Sequence, residues 1–397
     1  MPRMFFRPLS SLALALILVS CSSLRSPVVP GATPKDHGAI GATEGPAWKD
    51  GSLYFTDGKH INRMGPDGKT SVFRHNASNG LLFDKEGRLV ACESGLRRVT
   101  RTEKDGSITV LADRFEGRHY MGMDLAEGIE PRAGTLNALR FRERRFNSPN
   151  DLCMDSKGRV YFTDPRYGSR AGMEIDDGSF DKQSIIQGGA MPNDLTKALS
   201  LNPTGDAFDI ELDKLSAKTR RWLMSFVQKK QERLVEGVYR LDSPGRVSLV
   251  VAGGANGYRM ERPNGILISP DGRYLYIADN NNSTHGGSRR LLRYKLDHNG
   301  DITSPPKTIF DWKDGRGPDG MKMDSAGRIY VAAGTNKATE FESTRFKAGC
   351  YILSPSGRLL DFIPVAPDEC CNCAFGGKDG KTLFITSGGH LWSVPLR

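Results

Sequence analysis

Several catalytic signatures are missing from this chain. Histidine is scarce, seven in 397 residues and scattered, and no Gly-x-Ser-x-Gly elbow occurs, so a serine–histidine hydrolase has no foothold here. There is neither a phosphate-binding loop nor a dinucleotide fingerprint, which leaves nucleotide chemistry without support. The seven cysteines lack the paired spacing of a structural zinc site. A net charge of +10 would suit nucleic acid, but no recognition motif accompanies it and no such partner is expected.

The N-terminus is short of apolar residues for a membrane span: Arg3 and Arg7 precede a run of only Leu12 to Val19. That pattern predicts a signal peptide over residues 1–20. The ending Leu18-Val19-Ser20-Cys21 resembles a bacterial lipobox. It predicts an exported lipoprotein, periplasmic or attached to the outer membrane, whose membrane attachment is through lipidated Cys21 alone. Residues 21–41, with their Pro and Gly, then serve as a tether. Of the remaining cysteines, Cys92, Cys153 and Cys350 lie in strand-like runs and read as small buried apolar residues. The crowded Cys370-Cys371-Asn372-Cys373 stretch is the better place for a bridge or for a soft metal.

What the chain does have is repetition. Six times an acidic or amide residue stands just ahead of an apolar alternating segment, a Gly-containing turn and a second alternating segment. The starts are Glu44, Asn79, Asn150, Asn264, Asp319 and Asn372. A sheet unit repeated at this scale predicts an all-β fold, a six-bladed β-propeller over residues 42–397. The third to fifth units continue into two further strand-like runs, and the sixth runs out of chain after Leu391 to Pro395. A segment within Val28 to Thr43 is therefore expected to supply its outer strand and close the ring. Two insertions, about 117–145 and 169–236, interrupt the repeat. By strand direction both rise over the face that carries Asn150, as partly helical loops able to act as a lid. Lys214 to Arg233 is basic with apolar residues at roughly helical spacing, which reads as a solvated helix with one packed face, or as a surface for anionic ligands.

In a propeller the six starting side chains converge on one mouth of the channel. Any single Asn-Gly or Asp-Gly also reads as an ordinary turn. Their common register favours a shared site of hard oxygen donors.

The stretches EGPAW at Glu44, RFNSPND from Arg145, TDPRYG from Thr163, RPNG at Arg262, GPDGMKMD from Gly317 and NCAFGG at Asn372 together resemble the senescence-marker-protein/gluconolactonase family, which includes regucalcin. The resemblance runs from about Glu44 to Arg397 apart from the insertions. It implies a six-bladed propeller with one divalent cation in the channel, held here by Glu44, Asn150, Asn264 and Asp319. Two carboxylates and two amide oxygens suit Ca²⁺ first, with Mg²⁺, Mn²⁺ or Zn²⁺ able to occupy the same set. The implied reaction is metal-dependent opening of a small lactone or related sugar acid derivative, with Asp319 as general base. Asn79, Asp164, Arg166, Tyr167 and Asn372 are the candidate substrate-binding residues, with a turn cap as the alternative for Asp164. Ser148-Pro149 stands where animal regucalcins carry Arg-Phe, which removes a substrate-binding Arg. Phosphoester or organophosphate hydrolysis on the same metal is one alternative. A non-catalytic surface propeller that binds carbohydrate or protein is another.

Overall fold

A five-residue turn, Asp-x-x-Gly-Arg, recurs at Asp84, Asp155 and Asp324, and each time the Asp does the same work. One carboxylate oxygen accepts the backbone N–H groups two and four residues on, at 2.7–3.1 Å, while the other accepts Arg Nε at 2.6–2.8 Å. The Gly takes a positive φ of 75–82°, a region open to it because it lacks a Cβ. Each turn joins a short first strand to a longer second one, and so starts a blade.

The computed structural model describes residues 25–75, 79–113, 115, 119–120, 123–124, 146–167, 192–200, 212–222, 236–253 and 260–397. Strand β1 (Lys35–Ala42) is followed by β2 (Glu44–Lys49), β3 (Ser52–Thr56), β4 (His60–Met64) and β5 (Thr70–His75). Next come β6 (Leu81–Phe83), β7 (Leu89–Glu93), β8 (Arg98–Thr102) and β9 (Ile108–Ala112), then a small hairpin, β10 (His119–Tyr120) with β11 (Met123–Asp124). The third blade is β12 (Leu152–Met154), β13 (Val160–Asp164), β14 (Gly237–Ser243) and β15 (Arg246–Ala252), with helix α1 (Asn193–Ser200) inserted. The fourth is β16 (Pro263–Ile268), β17 (Tyr274–Asn280), β18 (Arg289–Lys295) and β19 (Lys307–Asp311). The fifth is β20 (Met321–Met323), β21 (Ile329–Ala333), β22 (Gly349–Leu353) and β23 (Leu359–Pro364). The last is β24 (Cys370–Gly376), β25 (Thr382–Ser387) and β26 (Gly389–Pro395).

Each set of four pairs in chain order, and the sixth sheet is completed by β1 in the order β1-β26-β25-β24. The fold class is therefore that of an all-β, six-bladed β-propeller. The segment expected within Val28 to Thr43 is Lys35–Ala42, which pairs with β26 with Lys35 opposite Ser393 and Ala39 opposite His390. The edge of β26 would otherwise leave its backbone groups unpaired.

The chain divides into two compact units, Met1–His75 with Asn264–Arg397, and Asn76–Pro263. In the first, the core lies between successive blades. Tyr276, Met321, Val331 and Trp312 fill one interval, Cys350, Cys370, Cys373 and Ile385 the next, and Leu53, Phe55 and Phe384 a third. In the second, Val90, Phe146, Phe162 and Tyr239 form the equivalent layer. Fully burying side chains of this size contributes about 1.5–3 kcal/mol each, so interblade packing holds each unit together.

The predicted signal peptide and Cys21 lie outside the described residues, as do most of both insertions. Of Lys214 to Arg233, residues 214–222 are described, and 217–222 are helical.

Candidate functional site

The glycines that follow Asn79, Asn264 and Asp319 are explained by what lies beside them. A Cβ on Gly320 would sit 2.0 Å from Asn372 Cγ, one on Gly265 would sit 2.1 Å from the Asp319 carbonyl oxygen, and one on Gly80 would sit 2.8 Å from the Asn150 carbonyl oxygen. None of the three has a positive φ. The turn reading of Asn79-Gly80, Asn264-Gly265 and Asp319-Gly320 is thus corrected: these glycines let the first strands of adjacent blades approach closely. The Gly320 N–H donates to the Cys371 carbonyl at 2.7 Å, and Gly80 N–H to that of Asn150 at 2.8 Å. One blade's starting residue is thereby fixed against the next.

In the first unit this stitching assembles a polar centre. Glu44 and Asp319 each bring a carboxylate oxygen, and Cys371 its sulfur, with all three atoms within 4.8 Å of one another. Asp319 and Asn264 are 5% exposed, while Glu44 and Cys371 are partly buried. Two carboxylates at such spacing repel by roughly 3–4 kcal/mol at an effective dielectric near 20. Arg316 offsets part of this. Burial works against its charge, but Glu369, Asp319 and Glu342 together hold the guanidinium above its ordinary value. Its Nη atoms are already engaged, by Glu342 Oε1 at 3.1 Å and Glu369 Oε2 at 2.7 Å.

Strand irregularities aim these groups. Between Glu44 and Ala47 the pairing of β2 with β3 slips by one residue, and between Cys370 and Asn372 that of β24 with β25 does the same. In a regular strand Cys371 and Asn372 would face opposite sides; a bulge re-aims a side chain. Asn372 Nδ2 donates to Glu44 Oε2 at 3.0 Å, and its Oδ1 accepts the Cys373 N–H at 2.9 Å. Asn372, 1% exposed, thus holds Glu44 in place through its amide. Cys370 and Cys373 go into the core and Cys371 to the polar centre, and none of the six described cysteines is in a disulfide. Burial, then the charges of Glu44 and Asp319, push the Cys371 thiol well up.

The second unit holds the other candidates. Asn150 is 5% exposed and its N–H donates to the Thr163 carbonyl at 2.9 Å. Asn79 Nδ2 donates to Ser94 Oγ at 3.2 Å. Asp164 is fully buried, and its two carboxylate oxygens accept the N–H groups of Asn147 at 2.8 Å and Ser148 at 2.7 Å. Of the two expectations for Asp164 the geometry matches the cap: the carboxylate holds the backbone ahead of Asn150. Burial raises its pKa to about 7 against the pull of those N–H groups and of Arg97, with Glu236 adding to the rise. The backbone N–H of Arg166 donates to Glu236 Oε2 at 3.0 Å, and the Arg262 guanidinium lies 5.4 Å from the Tyr167 ring centre.

Sequence reasoning anticipated neither Arg316 nor Cys371 at the centre. Arg316 carried no motif signal. Cys371 adjoins Asn372, and strict alternation puts neighbours on opposite faces.

The two carboxylates are a hard donor pair that suits a divalent cation. Comparison with known proteins agrees with the family suggested by the motifs. The gluconolactonase of Zymomonas mobilis is 27% identical over 382 residues, covering 89% of this chain and 78% of that protein. The 6-deoxy-6-sulfogluconolactonase of Pseudomonas putida is 28% identical over 246 residues, 58% of this chain and 76% of that one. Among solved structures, a Xanthomonas campestris gluconolactonase superposes with a TM-score of 0.57 at 23% identity, covering 94% and 92% of the two chains, a likeness that speaks to fold. The family model described as the SMP-30/gluconolactonase/LRE-like region matches residues 42–193 and 221–389, and its gap falls inside the longer insertion. The chain belongs to the SMP-30/gluconolactonase/LRE-like family.

Proposed function

We propose that this protein is a sugar lactone hydrolase that works with one divalent cation held by Glu44, Asn264 and Asp319. Asn150 is the fourth ligand that the family resemblance implies. The observation that carries the reading is the gathering of the Glu44 and Asp319 carboxylates within 4.8 Å, in a chain whose relatives include named lactonases.

When bound, the cation polarises the lactone carbonyl and favours charge developing on its oxygen. The protein's residues do the rest. An Asp319 carboxylate oxygen takes a proton from the attacking water as the water oxygen bonds to the carbonyl carbon. The ring C–O bond then breaks, and the ring oxygen leaves with a proton as the hydroxyl of the open acid. Asn372 keeps Glu44 in place through its 3.0 Å hydrogen bond. Asn79, Arg166 and Tyr167 remain the proposed contacts for substrate hydroxyls. Asp164 serves the Asn150 segment from within, as a positioning residue.

The test is hydrolysis of glucono-δ-lactone by chelator-treated protein before and after addition of Ca²⁺, Mg²⁺, Mn²⁺ or Zn²⁺, with spontaneous opening subtracted. Turnover restored by a cation is expected. Full turnover in the stripped protein would overturn the metal-dependent reading.

A further inference from the structure

Glu44 and Asp319 are hard oxygen donors, but the third group within 4.8 Å of both is a thiol. Cys371 reaches that position because β24 carries its extra residue there, with Cys370 opposite Ser387 and Asn372 opposite Thr386. The neighbouring thiols are spent differently: Cys350, Cys370 and Cys373 are each fully buried in an apolar cluster with Tyr330, Ile352 and Leu383. Cys371 alone of this group is partly exposed, and its sulfur lies 3.2 Å from the Glu369 carbonyl oxygen. Bulges are enriched beside functional sites, where they redirect a side chain. This one delivers a polarisable sulfur into a nest of carboxylates.

Resting on the reading of Glu44 and Asp319 as cation ligands, we propose that Cys371 is a further ligand and sets the metal preference of the site. Its thiolate makes the set a mixed oxygen–sulfur one that favours thiophilic cations such as Zn²⁺ and Cd²⁺ over Ca²⁺ and Mg²⁺. Ca²⁺ is matched by all-oxygen shells and gains little from sulfur, whereas thiolates select softer cations. On ligation the thiol proton passes to solvent and a metal–sulfur bond forms. The first-choice cation of the centre then changes without any change in its carboxylates.

The experiment is calorimetric titration of chelator-treated full-length protein and its Cys371→Ala variant with Cd²⁺, Zn²⁺ and Ca²⁺, following near-ultraviolet absorption during the Cd²⁺ addition. Expected are a thiolate-to-Cd²⁺ charge-transfer band in the native protein that the variant lacks, and tighter binding of Zn²⁺ than of Ca²⁺. Cd²⁺ affinity should fall by at least the roughly 10–100-fold seen on removing even an outer partner of a metal site. Ca²⁺ binding should be little changed, which also shows that the variant is folded. An identical band and identical affinities in both proteins would overturn the proposal. A Glu44→Gln variant separates this from the parent reading. If it weakens every cation while Cys371→Ala weakens none selectively, only the role of the thiol falls. If Glu44→Gln alters no cation's binding, the carboxylate site falls with it.

Discussion

Asp319 in one unit and Asp164 in the other are both almost fully buried carboxylates, 5% and 0% exposed, yet their surroundings treat charge in opposite ways. Around Asp164 the chain supplies two backbone N–H groups and the opposing charges of Arg97 and Glu236, and burial still leaves its pKa raised to about 7. Around Asp319 the chain gathers a second carboxylate and a thiol, with an arginine already shared between two glutamates. Asp164 is provided for internally. Around Asp319 like charge accumulates, which is the setting the proposed cation would suit, and that contrast separates the two acids better than burial does.

The sharpest way to break the contrast is Asp319→Asn, which keeps shape and removes the base. Turnover of glucono-δ-lactone in the metal-loaded enzyme should drop about 10²–10⁴-fold, the usual contribution of a positioned general base. Asn372→Ala probes the same centre one step removed. With the 3.0 Å hydrogen bond to Glu44 gone, cation affinity measured by calorimetry should fall roughly 10–100-fold while thermal stability changes modestly. Gly320→Ala asks whether close blade approach builds the centre. Its Cβ would land 2.0 Å from Asn372 Cγ, so denaturant unfolding should show a loss of about 1–3 kcal/mol from overpacking, accompanied by weaker cation binding.

Asp164 is read through pH, not through turnover. Its folded pKa, about 7, lies above the ordinary 3.8, so between those values the folded state binds more protons than the unfolded one. Its contribution to stability therefore falls as pH rises from about 4 to about 7 and is flat above that. Asp57 runs the other way. Despite its burial, hydrogen bonds from His60, Asn62 and the backbone lower its pKa, so what it contributes is lost as pH falls below the usual carboxylate range. Melting curves across pH 4 to 7 should show a downward slope in the native protein that Asp164→Asn removes, whereas the acid limb below pH 4 should persist in both.

Much of this fold is legible from residues because its devices are local. The turns at Asp84, Asp155 and Asp324 satisfy their own backbone within five residues, and β-branched alternation then marks the strands. Recruitment of Lys35–Ala42 to β26 follows from counting strands in the last blade. The centre is less legible. The starting residues are visible as a register, but the glycines beside them read as turns until the neighbouring strand is seen at 2–3 Å. The one-residue slip that brings Cys371 beside Asn372 depends on pairing with β25, which no local pattern encodes. Asp164 is only partly legible for the same reason: its place at the end of β13 fits a substrate contact or a turn cap, and only the N–H groups of Asn147 and Ser148, seventeen and sixteen residues earlier, show what occupies its oxygens.

The most direct test of the central claim is a paired turnover measurement, Asp319→Asn against Asp164→Asn, with glucono-δ-lactone, saturating cation and the spontaneous rate subtracted. Loss of turnover in the Asp319 variant, with less than about tenfold change in the Asp164 variant, is the outcome predicted for a base and a positioning residue. Undiminished turnover in Asp319→Asn, or loss confined to Asp164→Asn, would contradict the assignment of the catalytic centre to Glu44 and Asp319.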